Sequence, residues 1–440
     1  MQNILIVGHG AREHVIGESL VNSGAKLHSF MSFKNAGLED LSEGRIKIHS
    51  ETDFKEIVDF CKEKRIDFVV IGPEAPLVIG IVDAIQKHDI PCIGPSIEAA
   101  QLEGSKIFTR YLLDKYKISS NIQSKMFRSI EGVESYLDVV GNENIVVKPD
   151  GLTGGKGVKV FGEHLFSRKD ILEYCQEIVS GKSPFIIEEK CYGEEFTLQT
   201  FVDGKNVIGT PLVQDHKRAY EDDTGPNTGG MGSYSMEDHL MPFITKNDVK
   251  LALEVIKKTI NAVKAETGVN YKGFLYGGFM KTAKELKLIE YNSRLGDPEA
   301  MNVLPLLNSN FVDICWAIID GNLSQTISFK KQATVCKYLA PEGYPTNPKK
   351  DQQIKIDKKS LNNIGAKYYY ASVYREDNNI YTTTSRAMGI LGIAEDLQKA
   401  EQIAEEGVKC VEGQLFHRKD IGTLKLLQKR IDHMNSLLNK

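Results

Sequence analysis

The strongest chemical signal lies between Lys148 and Gly157, where the chain reads K-P-D-G-L-T-G-G-K-G directly after an apolar run. Glycines let a backbone turn sharply and bring its N–H groups close to an anion, while lysines add positive charge. The segment contains neither the G-x-x-x-x-G-K-[ST] pattern of a P-loop nor a Rossmann G-x-G-x-x-G fingerprint. We interpret it as a flexible flap over the phosphates of a nucleoside triphosphate.

A second stretch, L-I-E-Y-N-S-R-L-G-D-P-E, occupies residues 288–299. In a strand, Glu290 and Asn292 point to one face, and Arg294 continues that face. A carboxylate and an amide oxygen suit Mg²⁺ shared with phosphates, and an arginine can clamp a carboxylate or phosphate. A solvated sheet face would also alternate such residues, but the apolar pair that opens the stretch predicts a strand that begins buried.

The segment 188–195, E-E-K-C-Y-G-E-E, follows the apolar run 185–187. A strand exit of this kind can act as an interdomain hinge whose backbone groups bind the adenine edge, with Glu195 accepting ribose hydroxyls. Taken alone the segment is weak evidence, because glutamate-rich turns are usually just solvated.

A fourth polar stretch joins D-H-K-R at residues 215–218 to D-T-G-P-N-T-G-G-M-G at residues 223–232. It offers backbone amides and two cations for an anionic substrate or intermediate.

The first ~100 residues alternate strands and helices, and this βαβ rhythm predicts a parallel sheet with helices on both faces. The predicted strands are Asn3 to Val7, Asp67 to Ile71 and Ile90 to Ile93; the predicted helices are Glu13 to Asn22, Phe54 to Lys64 and Leu77 to His88. Ligands bind at the carboxyl ends of such strands, where the loops 8–13, 72–76 and 94–96 lie. Each loop alone also fits a tight turn.

Beyond Gly104 the pattern becomes mixed. We predict a helix from Ser105 to Lys115, short strands with one long helix between Ile122 and Glu189, strands at Thr197 to Val202, Gly273 to Lys281 and Leu286 to Tyr291, a loop at Pro345 to Lys359, and helices at Ala394 to Val411 and Gly422 to Leu438.

Bulk composition excludes several function classes. The chain has 440 residues and a formal net charge of −4, so no general electrostatic attraction to nucleic acid or an anionic membrane is expected. No apolar run approaches the roughly 18 residues of a membrane span, and no signal-like segment precedes the first strand. Seven cysteines are scattered without C-x-x-C, which predicts reduced thiols in a cytoplasmic protein.

Two lysines (Lys106 and Lys148), the glycine flap, the E-E-x-x-x-G-E-E hinge and the E-x-N-x-R strand, in that order, resemble the ATP-grasp superfamily. The chain is more closely similar to the phosphoribosylamine–glycine ligase family. The matching strings are G-P-E-A-P-L (72–77), Q-L-E-G-S-K (101–106), D-H-K-R (215–218), G-P-N-T-G-G-M-G (225–232), G-D-P-E (296–299) and the C-terminal R-K-D-I-G (418–422). The resemblance spans nearly the whole chain.

The resemblance implies an α/β fold with three parts: an N-terminal parallel-sheet (pre-ATP-grasp) domain at 1–103, a two-lobed α+β ATP-grasp domain at 104–329 with a mobile lid lobe at about 121–190, and a small C-terminal mixed α/β domain at 330–440. It implies an ATP-dependent ligase that converts glycine and 5-phosphoribosylamine to glycinamide ribonucleotide in purine biosynthesis, through glycyl phosphate. ATP is a substrate and Mg²⁺ or Mn²⁺ a cofactor. We expect a monomer with transient contact to the upstream amidotransferase, and neither nucleic acid nor membrane as a partner.

Carried over residue by residue, the resemblance assigns the following roles. The catalytic residues are Arg294, Lys217 and Asp215, and the metal ligands are Glu290 and Asn292. The ATP-binding residues are Lys106, Lys148, Gly154, Gly155, Lys156, Gly157, Glu188, Glu189, Cys191 and Glu195. The substrate-binding residues are Gly10, Arg12, Glu13, Glu74, Asn227, Gly229, Gly230, Met231, Asp297, Pro298, Glu299, Arg386 and Arg418.

The sequence departs from the family pattern before Arg386, where Thr384 and Ser385 replace a glycine pair. Thr and Ser resist positive φ, so the turn that carries this predicted contact to the ribose phosphate must be built differently. Smaller departures lie at His9, Ala11 and Pro149.

Two alternatives remain open at this stage. Another ATP-grasp carboxylate–amine ligase or a biotin carboxylase would share the lysines, hinge and metal strand but lack the D-H-K-R and G-P-N-T-G-G-M-G strings. An inactive nucleotide-binding module would have no use for intact Lys106, Lys148, Glu290, Asn292 and Arg294.

Overall fold

A computed structural model of the protein describes residues 1–154, 157–323, 326–377 and 379–439. The predicted ATP-binding residues Gly155 and Lys156 lie outside the described residues. In the described part of the chain, no helix is long and apolar enough to cross a membrane.

The N-terminal region is a five-stranded parallel sheet in the order β3-β2-β1-β4-β5. Its strands are β1 Asn3–Val7, β2 Lys26–Met31, β3 Ile46–Ile48, β4 Phe68–Ile71 and β5 Cys92–Ile93; its helices are α1 Ala11–Asn22, α2 Ala36–Leu41, α3 Phe54–Lys64, α4 Glu74–Val78, α5 Ile81–Gln86 and α6 Gln101–Gly104. Both central strands, β1 and β4, are almost wholly apolar because helices cover both sheet faces. The strand order reverses between β1 and β4, so the loops that follow them flank a topological switch point, where ligands bind in such sheets.

The predicted helix from Leu77 to His88 is interrupted. Helix α4 ends at Val78 and α5 begins at Ile81, with Gly80 between them at φ +95°. Glycine adopts this left-handed conformation without steric cost, which lets the chain change direction there.

The lid lobe is a four-stranded antiparallel sheet, β6-β9-β7-β8, with its own apolar core. After α7 Lys106–Lys115 come β6 Ser124–Phe127, α8 Val133–Val140, β7 Ile145–Pro149, β8 Lys159–Val160, α9 Arg168–Ser180 and β9 Phe185–Glu189. Among its described residues the region therefore contains two helices of eight residues or more instead of the one predicted. A separate core lets a lobe move as a unit relative to its neighbours.

The second lobe is built on the antiparallel sheet β11-β10-β16-β17. Its elements are β10 Gly193–Asp203, β11 Val207–Gly209, β12 Gln214–Asp215, β13 Arg218–Tyr220, β14 Thr224–Asn227, β15 Gly232–Ser235, α10 Lys246–Thr267, β16 Lys272–Thr282, β17 Leu286–Asn292, α11 Glu299–Val303 and α12 Phe311–Asp320. The long helix α10 packs its apolar face on this sheet.

The C-terminal region shares a sheet with the preceding one, in the order β12-β15-β18-β23-β20. Its elements are β18 Ala333–Pro341, β19 Gln353–Ile356, α13 Lys358–Ile364, β20 Lys367–Tyr370, β21 Val373–Glu376, β22 Asn379–Thr382, β23 Met388–Ala394, α14 Leu397–Val408, β24 Val411–Glu412, β25 Leu415–Phe416 and α15 Leu424–Leu438. The loop predicted from Pro345 to Lys359 is wrong in its second half, because β19 pairs there with β22 and β24. The predicted α/β class and its mixed, multi-part architecture are confirmed.

Candidate active site

One cleft of about 860 Å³ runs between the lid lobe, the second lobe and the C-terminal region. Helices α6 and α7, strands β7, β9, β10, β12 and β17, and the loops after β1 and β4 supply its walls. Most of the residues predicted to act on ATP, metal and substrates line it, although they come from every part of the chain.

A β-bulge in β17 sets which side chains of the metal strand face the cleft. Leu288 pairs with Phe279 and Glu290 with Gly278, so Ile289 is the extra residue. Because an inserted residue reverses the alternation of a strand, Ile289 and Glu290 both line the cleft while Leu288 stays in the core. The sequence predicted the shared face of Glu290 and Asn292 but not the bulge.

Glu290 lies in a strongly cationic environment. Lys217 Nζ is 3.3 Å from Glu290 Oε1 and 3.8 Å from Glu195 Oε2. Lys217 lowers the pKa of Glu290 to about 2, against the effect of burial, and the charges of Lys148 and Lys106 add to this. Glu290 in turn raises the pKa of Lys217 well above its ordinary value. Both groups are therefore charged at neutral pH.

The donor set on β17 fits a divalent metal ion. We assign the orientation of the Asn292 amide from its neighbours: with the nitrogen toward Glu103 Oε1 at 3.0 Å and the Tyr291 carbonyl at 3.3 Å, both contacts become hydrogen bonds and the oxygen faces donor groups. An ionised carboxylate and an amide oxygen are hard ligands, and Mg²⁺ usually combines one or two protein carboxylates with substrate phosphates. Among the described residues no group of three or more His, Cys, Asp or Glu side chains is placed to hold a metal alone.

The two predicted phosphate lysines, Lys106 and Lys148, both line the cleft. Lys106 Nζ donates to the Gly151 carbonyl at 2.7 Å, and Lys148 Nζ pairs with Glu188 Oε2 at 2.6 Å. Burial lowers the pKa of Lys106. Lys106 thus holds the start of the flap, and Lys148 is held by a carboxylate that a nucleotide phosphate can compete with.

Glu188 belongs to the predicted hinge, and its side chain is turned to two cations of the protein. Its side chain is 2% exposed and is shared between Arg110 Nε, at 2.6 Å, and Lys148. Burial would raise the pKa of Glu188, but Arg110 and Lys148 lower it to about 2. Glu188 therefore anchors two cations. Of the remaining predicted hinge residues, Glu195 lines the cleft, whereas the exposed Glu189 and the half-buried Cys191 are not part of its wall.

The described part of the flap lies over the cleft mouth. Gly151 and Gly154 line it, and Gly154 has φ +56°, a conformation that favours glycine. Gly157 lies outside the wall and its carbonyl accepts a hydrogen bond from Tyr174 of α9 at 2.8 Å. This contact ties the far end of the flap to the lid lobe.

Arg294 is the centre of an ionic network that reaches into the N-terminal region. Its Nε is 3.2 Å from Glu74 and its Nη2 is 3.0 Å from Glu103, while Arg12 lies 3.8 Å from Glu74. Burial would raise the pKa of Glu74, but Arg294 and Arg12 lower it to about 2. Burial raises the pKa of Glu103 to about 7 in spite of Arg294.

The loop after β1 places Arg12 on the cleft wall but turns Glu13 inward. Glu13 is 2% exposed, accepts the Gly10 N–H at 2.6 Å and also pairs with Arg12. Neither Gly10 nor Glu13 lines the cleft. In this structure the Glu13 oxygens contact Gly10 and Arg12, and the predicted substrate contact of Glu13 stays a prediction.

Two buried carboxyl groups, Asp215 and Glu299, lie beside Lys217. Burial, with the charge of Glu299 nearby, raises the pKa of Asp215 well above its ordinary value, and burial raises the pKa of Glu299 too. Within the described residues, Asp215 Oδ1 has no hydrogen-bond partner. Gly230 has φ +112°, and a Cβ there would come within 2.6 Å of this oxygen.

Arg386 reaches the cleft although Thr384 and Ser385 replace the glycine pair. Neither residue has a positive φ, so the turn needs no left-handed conformation. Arg386 Nη1 donates to the carbonyls of Gly229 and Gly230 at 3.0 and 2.7 Å, and its Nη2 pairs with Asp297 at 3.0 Å. Tyr338 donates to the other Asp297 oxygen.

Besides Gly10, Glu13 and Gly230, three further predicted substrate residues lie outside the cleft wall. Met231 is fully buried in the apolar core, and Pro298 lies outside the wall. Arg418 is also fully buried, where it pairs with Asp223 at 3.0 Å and Asp420 at 2.6 Å. Arg418 therefore holds the C-terminal segment to the β13–β14 hairpin, and its predicted substrate contact stays a prediction. Asn227 and Gly229, by contrast, line the cleft.

Sequence reasoning missed several cleft residues. They are Glu103, Arg110, Glu194, Tyr276 and Arg430. Glu103 lies inside the Q-L-E-G-S-K string and could have been singled out there. Arg430 comes from α15, where it pairs with Asp223 at 2.5 Å, and nothing in its local sequence marks it.

Three family models match the chain in order: phosphoribosylglycinamide synthetase N domain at residues 2–103, its ATP-grasp (A) domain at 104–300 and its C domain at 334–424. The chain is 46% identical over 438 residues to phosphoribosylamine–glycine ligase of Methanothermobacter thermautotrophicus, covering 99% of each chain. It is also 46% identical over 442 residues to the enzyme of that name from Methanocaldococcus jannaschii, again covering 99% of each chain.

Solved structures agree with this. The crystal structure of phosphoribosylamine–glycine ligase from Thermotoga maritima matches with a TM-score of 0.81 at 28% identity, covering 95% of this chain and 99% of that one. The biotin carboxylase domain of Hydrogenobacter thermophilus 2-oxoglutarate carboxylase, solved with MgADP and bicarbonate, matches with a TM-score of 0.73 at 12% identity, covering 94% and 91% of the two chains. At that identity the second likeness shows the fold alone.

Proposed function

The chain belongs to the phosphoribosylamine–glycine ligase family of ATP-grasp enzymes, and on that premise we propose how its own residues share the reaction. It is an ATP-dependent ligase that joins glycine to 5-phosphoribosylamine in purine biosynthesis. It uses ATP and a divalent metal ion, as the family does.

In the first step the glycine carboxylate must attack the γ-phosphorus of ATP to form glycyl phosphate. The carboxylate and the triphosphate are both anions and repel each other. Such a step needs fixed positive charge aimed at the transferring group. Lys106 and Lys148 hold the α and β phosphates, and Lys148 exchanges Glu188 for phosphate oxygens as ATP enters. Arg294 and Lys217 face the transferring phosphoryl group and the glycine carboxylate.

Glu290 and Asn292 hold the metal ion, for which we propose Mg²⁺ or Mn²⁺. The ion would supply positive charge that offsets the charge of the nucleotide phosphates. The ionised state of Glu290 supports this assignment, and so does the direction of the Asn292 oxygen. Lys217, now 3.3 Å from Glu290, is then free to turn toward the carboxylate substrate.

In the second step the amine of phosphoribosylamine attacks the mixed anhydride and phosphate leaves. Asp215 Oδ1 is an unoccupied buried acceptor on the cleft wall, and we assign it to an amine N–H of a substrate. Arg12 and Glu74 lie at the switch point of the N-terminal sheet and Arg386 lies opposite, so we place phosphoribosylamine between them.

The flap and the lid lobe exclude water that would hydrolyse the acyl phosphate. No enzyme nucleophile takes part in this scheme, since carboxylate and amine are the only nucleophiles required.

The proposal also includes the domain boundaries 1–103, 104–329 and 330–440. It further includes a monomeric state, transient contact with the upstream amidotransferase and a cytoplasmic location.

One observation carries the assignment of roles: Lys106, Lys148, Lys217 and Arg294 surround Glu290 and Asn292 in a single cleft. The decisive experiment measures ADP release with ATP, metal ion, glycine and phosphoribosylamine generated in situ. We expect release that requires both glycine and the amine. A protein that binds ATP but releases no ADP above background with both substrates present would be a binding module and would overturn the proposal.

A further inference from the structure

We propose that Glu103 is a positioning residue that orients the Asn292 amide and Arg294 from the end of the N-terminal region. The proposal rests on the function above, because it takes Asn292 as a metal ligand. Glu103 contacts neither ATP nor substrate in this assignment and acts through its neighbours.

The geometry shows one buried carboxylate holding three consecutive residues. Glu103 belongs to α6 and is 8% exposed. Its Oε2 accepts the Ser293 N–H at 2.7 Å, and its Oε1 lies 3.0 Å from Arg294 Nη2. With the Asn292 amide assigned from its neighbours, the amide nitrogen also lies 3.0 Å from Oε1. Strand β17 ends at Asn292, so the sheet no longer supports the chain where these contacts begin.

The contact with Asn292 selects one of two amide orientations. Arg294 and the Ser293 N–H each donate to one Glu103 oxygen, which favours the ionised form in this network. An ionised carboxylate only accepts hydrogen bonds, so it attracts the amide nitrogen and repels the amide oxygen. The nitrogen faces Glu103 Oε1 and the Tyr291 carbonyl, which leaves the oxygen directed at donors. A metal ion binds an amide through oxygen, so the orientation imposed by Glu103 is the one that a metal site requires.

The same carboxylate also fixes Arg294. Its guanidinium is held by Glu103 on one side and Glu74 on the other, so a single rotamer is favoured. Glu103 thereby couples the metal ligand to the cation assigned to the transferring group, and it ties both to the N-terminal region that carries Arg12 and Glu74.

The test compares Glu103→Gln with the exchanged pair Glu103→Gln/Asn292→Asp. A glutamine at 103 retains the size and one acceptor, but its NH₂ group can face the Asn292 amide and turn the ligand oxygen away. In the exchanged pair, an aspartate at 292 accepts from that NH₂ and still presents a second oxygen to the cleft. Exposed Glu98 on the preceding turn supplies the matched control, Glu98→Gln.

Electron paramagnetic resonance measures the binding of Mn²⁺ in the presence of ADP. This measurement does not depend on turnover. We expect Glu103→Gln to weaken Mn²⁺ binding about tenfold or more, Glu98→Gln to match the native protein, and the exchanged pair to regain most of the lost affinity. The KM for phosphoribosylamine should change far less than the metal requirement.

Native-like Mn²⁺ affinity in Glu103→Gln would overturn the positioning role, and so would an exchanged pair that binds no better than the single variant. Thermal unfolding of each variant distinguishes a misfolded protein from one in which only the Asn292 amide is misoriented. If Glu103→Gln does not fold, the exchanged pair still tests the proposal. A native protein that binds no Mn²⁺ with ADP would overturn the metal site itself, a result distinct from any effect of Glu103.

Discussion

Three glutamates of the cleft have different partners, and their pKa values are not all shifted in the same direction; they are Glu290, Glu188 and Glu103. The pKa of Glu290 falls to about 2 because Lys217 lies beside it, and the pKa of Glu188 falls to about 2 because two cations outweigh burial. At Glu103 the effect of burial outweighs the charge of Arg294, and the pKa of Glu103 rises to about 7. Residue type alone does not separate a metal ligand from an anchor or a positioning group.

At the residue scale, we expect Glu290→Ala to lower glycine-dependent ADP release by at least about 100-fold with the fold retained, because the metal loses its only charged protein ligand in our assignment. Glu285→Ala, on the exposed turn before β17, is the control. ADP release and circular dichroism are measured together. Native-like activity of Glu290→Ala at low metal concentration would contradict the assignment.

Glu188 also makes a prediction about pH. Its pKa is lowered from 4.5 to about 2, so its contribution to stability is fully present above pH 4.5 and is lost as pH falls toward 2. The shift corresponds to about 3 kcal/mol in the free energy of unfolding. Denaturant unfolding at several pH values should show a flatter acid slope in Glu188→Gln. The exposed neighbour variant Glu189→Gln should keep the native slope.

At the scale of elements, an ion pair links the lid lobe to the second lobe. Glu163, in the loop between β8 and α9, pairs with Arg218 of β13, and both side chains are partly exposed. Both residues also line the cleft. This ion pair connects the lid lobe to the D-H-K-R segment, so we expect it to favour closure of the lobe over the cleft.

Because a partly exposed ion pair contributes at most about 1 kcal/mol, we expect Glu163→Gln to raise the KM for ATP by about fivefold or less. Wasteful ATP hydrolysis with glycine alone should increase as water reaches the acyl phosphate. Glu134→Gln, on exposed α8 of the same lobe, is the control. Unchanged ATP KM and unchanged glycine-dependent hydrolysis would show that the pair does not hold the lid.

At the scale of the whole molecule, the N-terminal and C-terminal regions pack directly on each other through α1 and β20. His14 Nδ1 accepts the Tyr370 N–H at 2.9 Å and its ring stacks on Tyr370. Glu18 pairs with Lys367 at 2.9 Å and accepts from Tyr369. Burial lowers the pKa of His14 to about 4, so the imidazole is neutral when the regions are docked.

The sign of the resulting pH effect follows from proton binding. Between pH 6.5 and 4 the unfolded chain binds a proton at His14 that the native state does not, so the free energy of unfolding falls as pH falls. The shift corresponds to about 3 kcal/mol across that range. His14→Gln, which keeps an acceptor for Tyr370, should show a flatter slope in pH-dependent unfolding. The surface variant His88→Gln should not, and equal slopes in all three proteins would contradict the prediction.

Local rules account for what could be predicted from the sequence. Strand β1 and helix α3 have the predicted bounds, because a buried apolar run and an amphipathic helix capped by Asp53 are decided by neighbouring residues. The predicted phosphate lysines and the predicted metal strand were singled out for the same reason, since each lies in a short string of functional residues. The ATP-grasp family and the ligase activity were predicted from such strings and are confirmed by the comparisons.

The sequence by itself determined the α/β class, the family and the candidate chemistry, through apolar periodicity and short strings of functional residues. Only the tertiary structure decided which of those residues face the cleft. In the folded chain Ile289 forms a bulge, and Met231 and Arg418 are buried. Glu103 contacts Ser293, and Arg110 contacts Glu188. The physical reason is that these outcomes depend on sheet register and on docking between segments far apart in the chain. A local pattern carries no information about either.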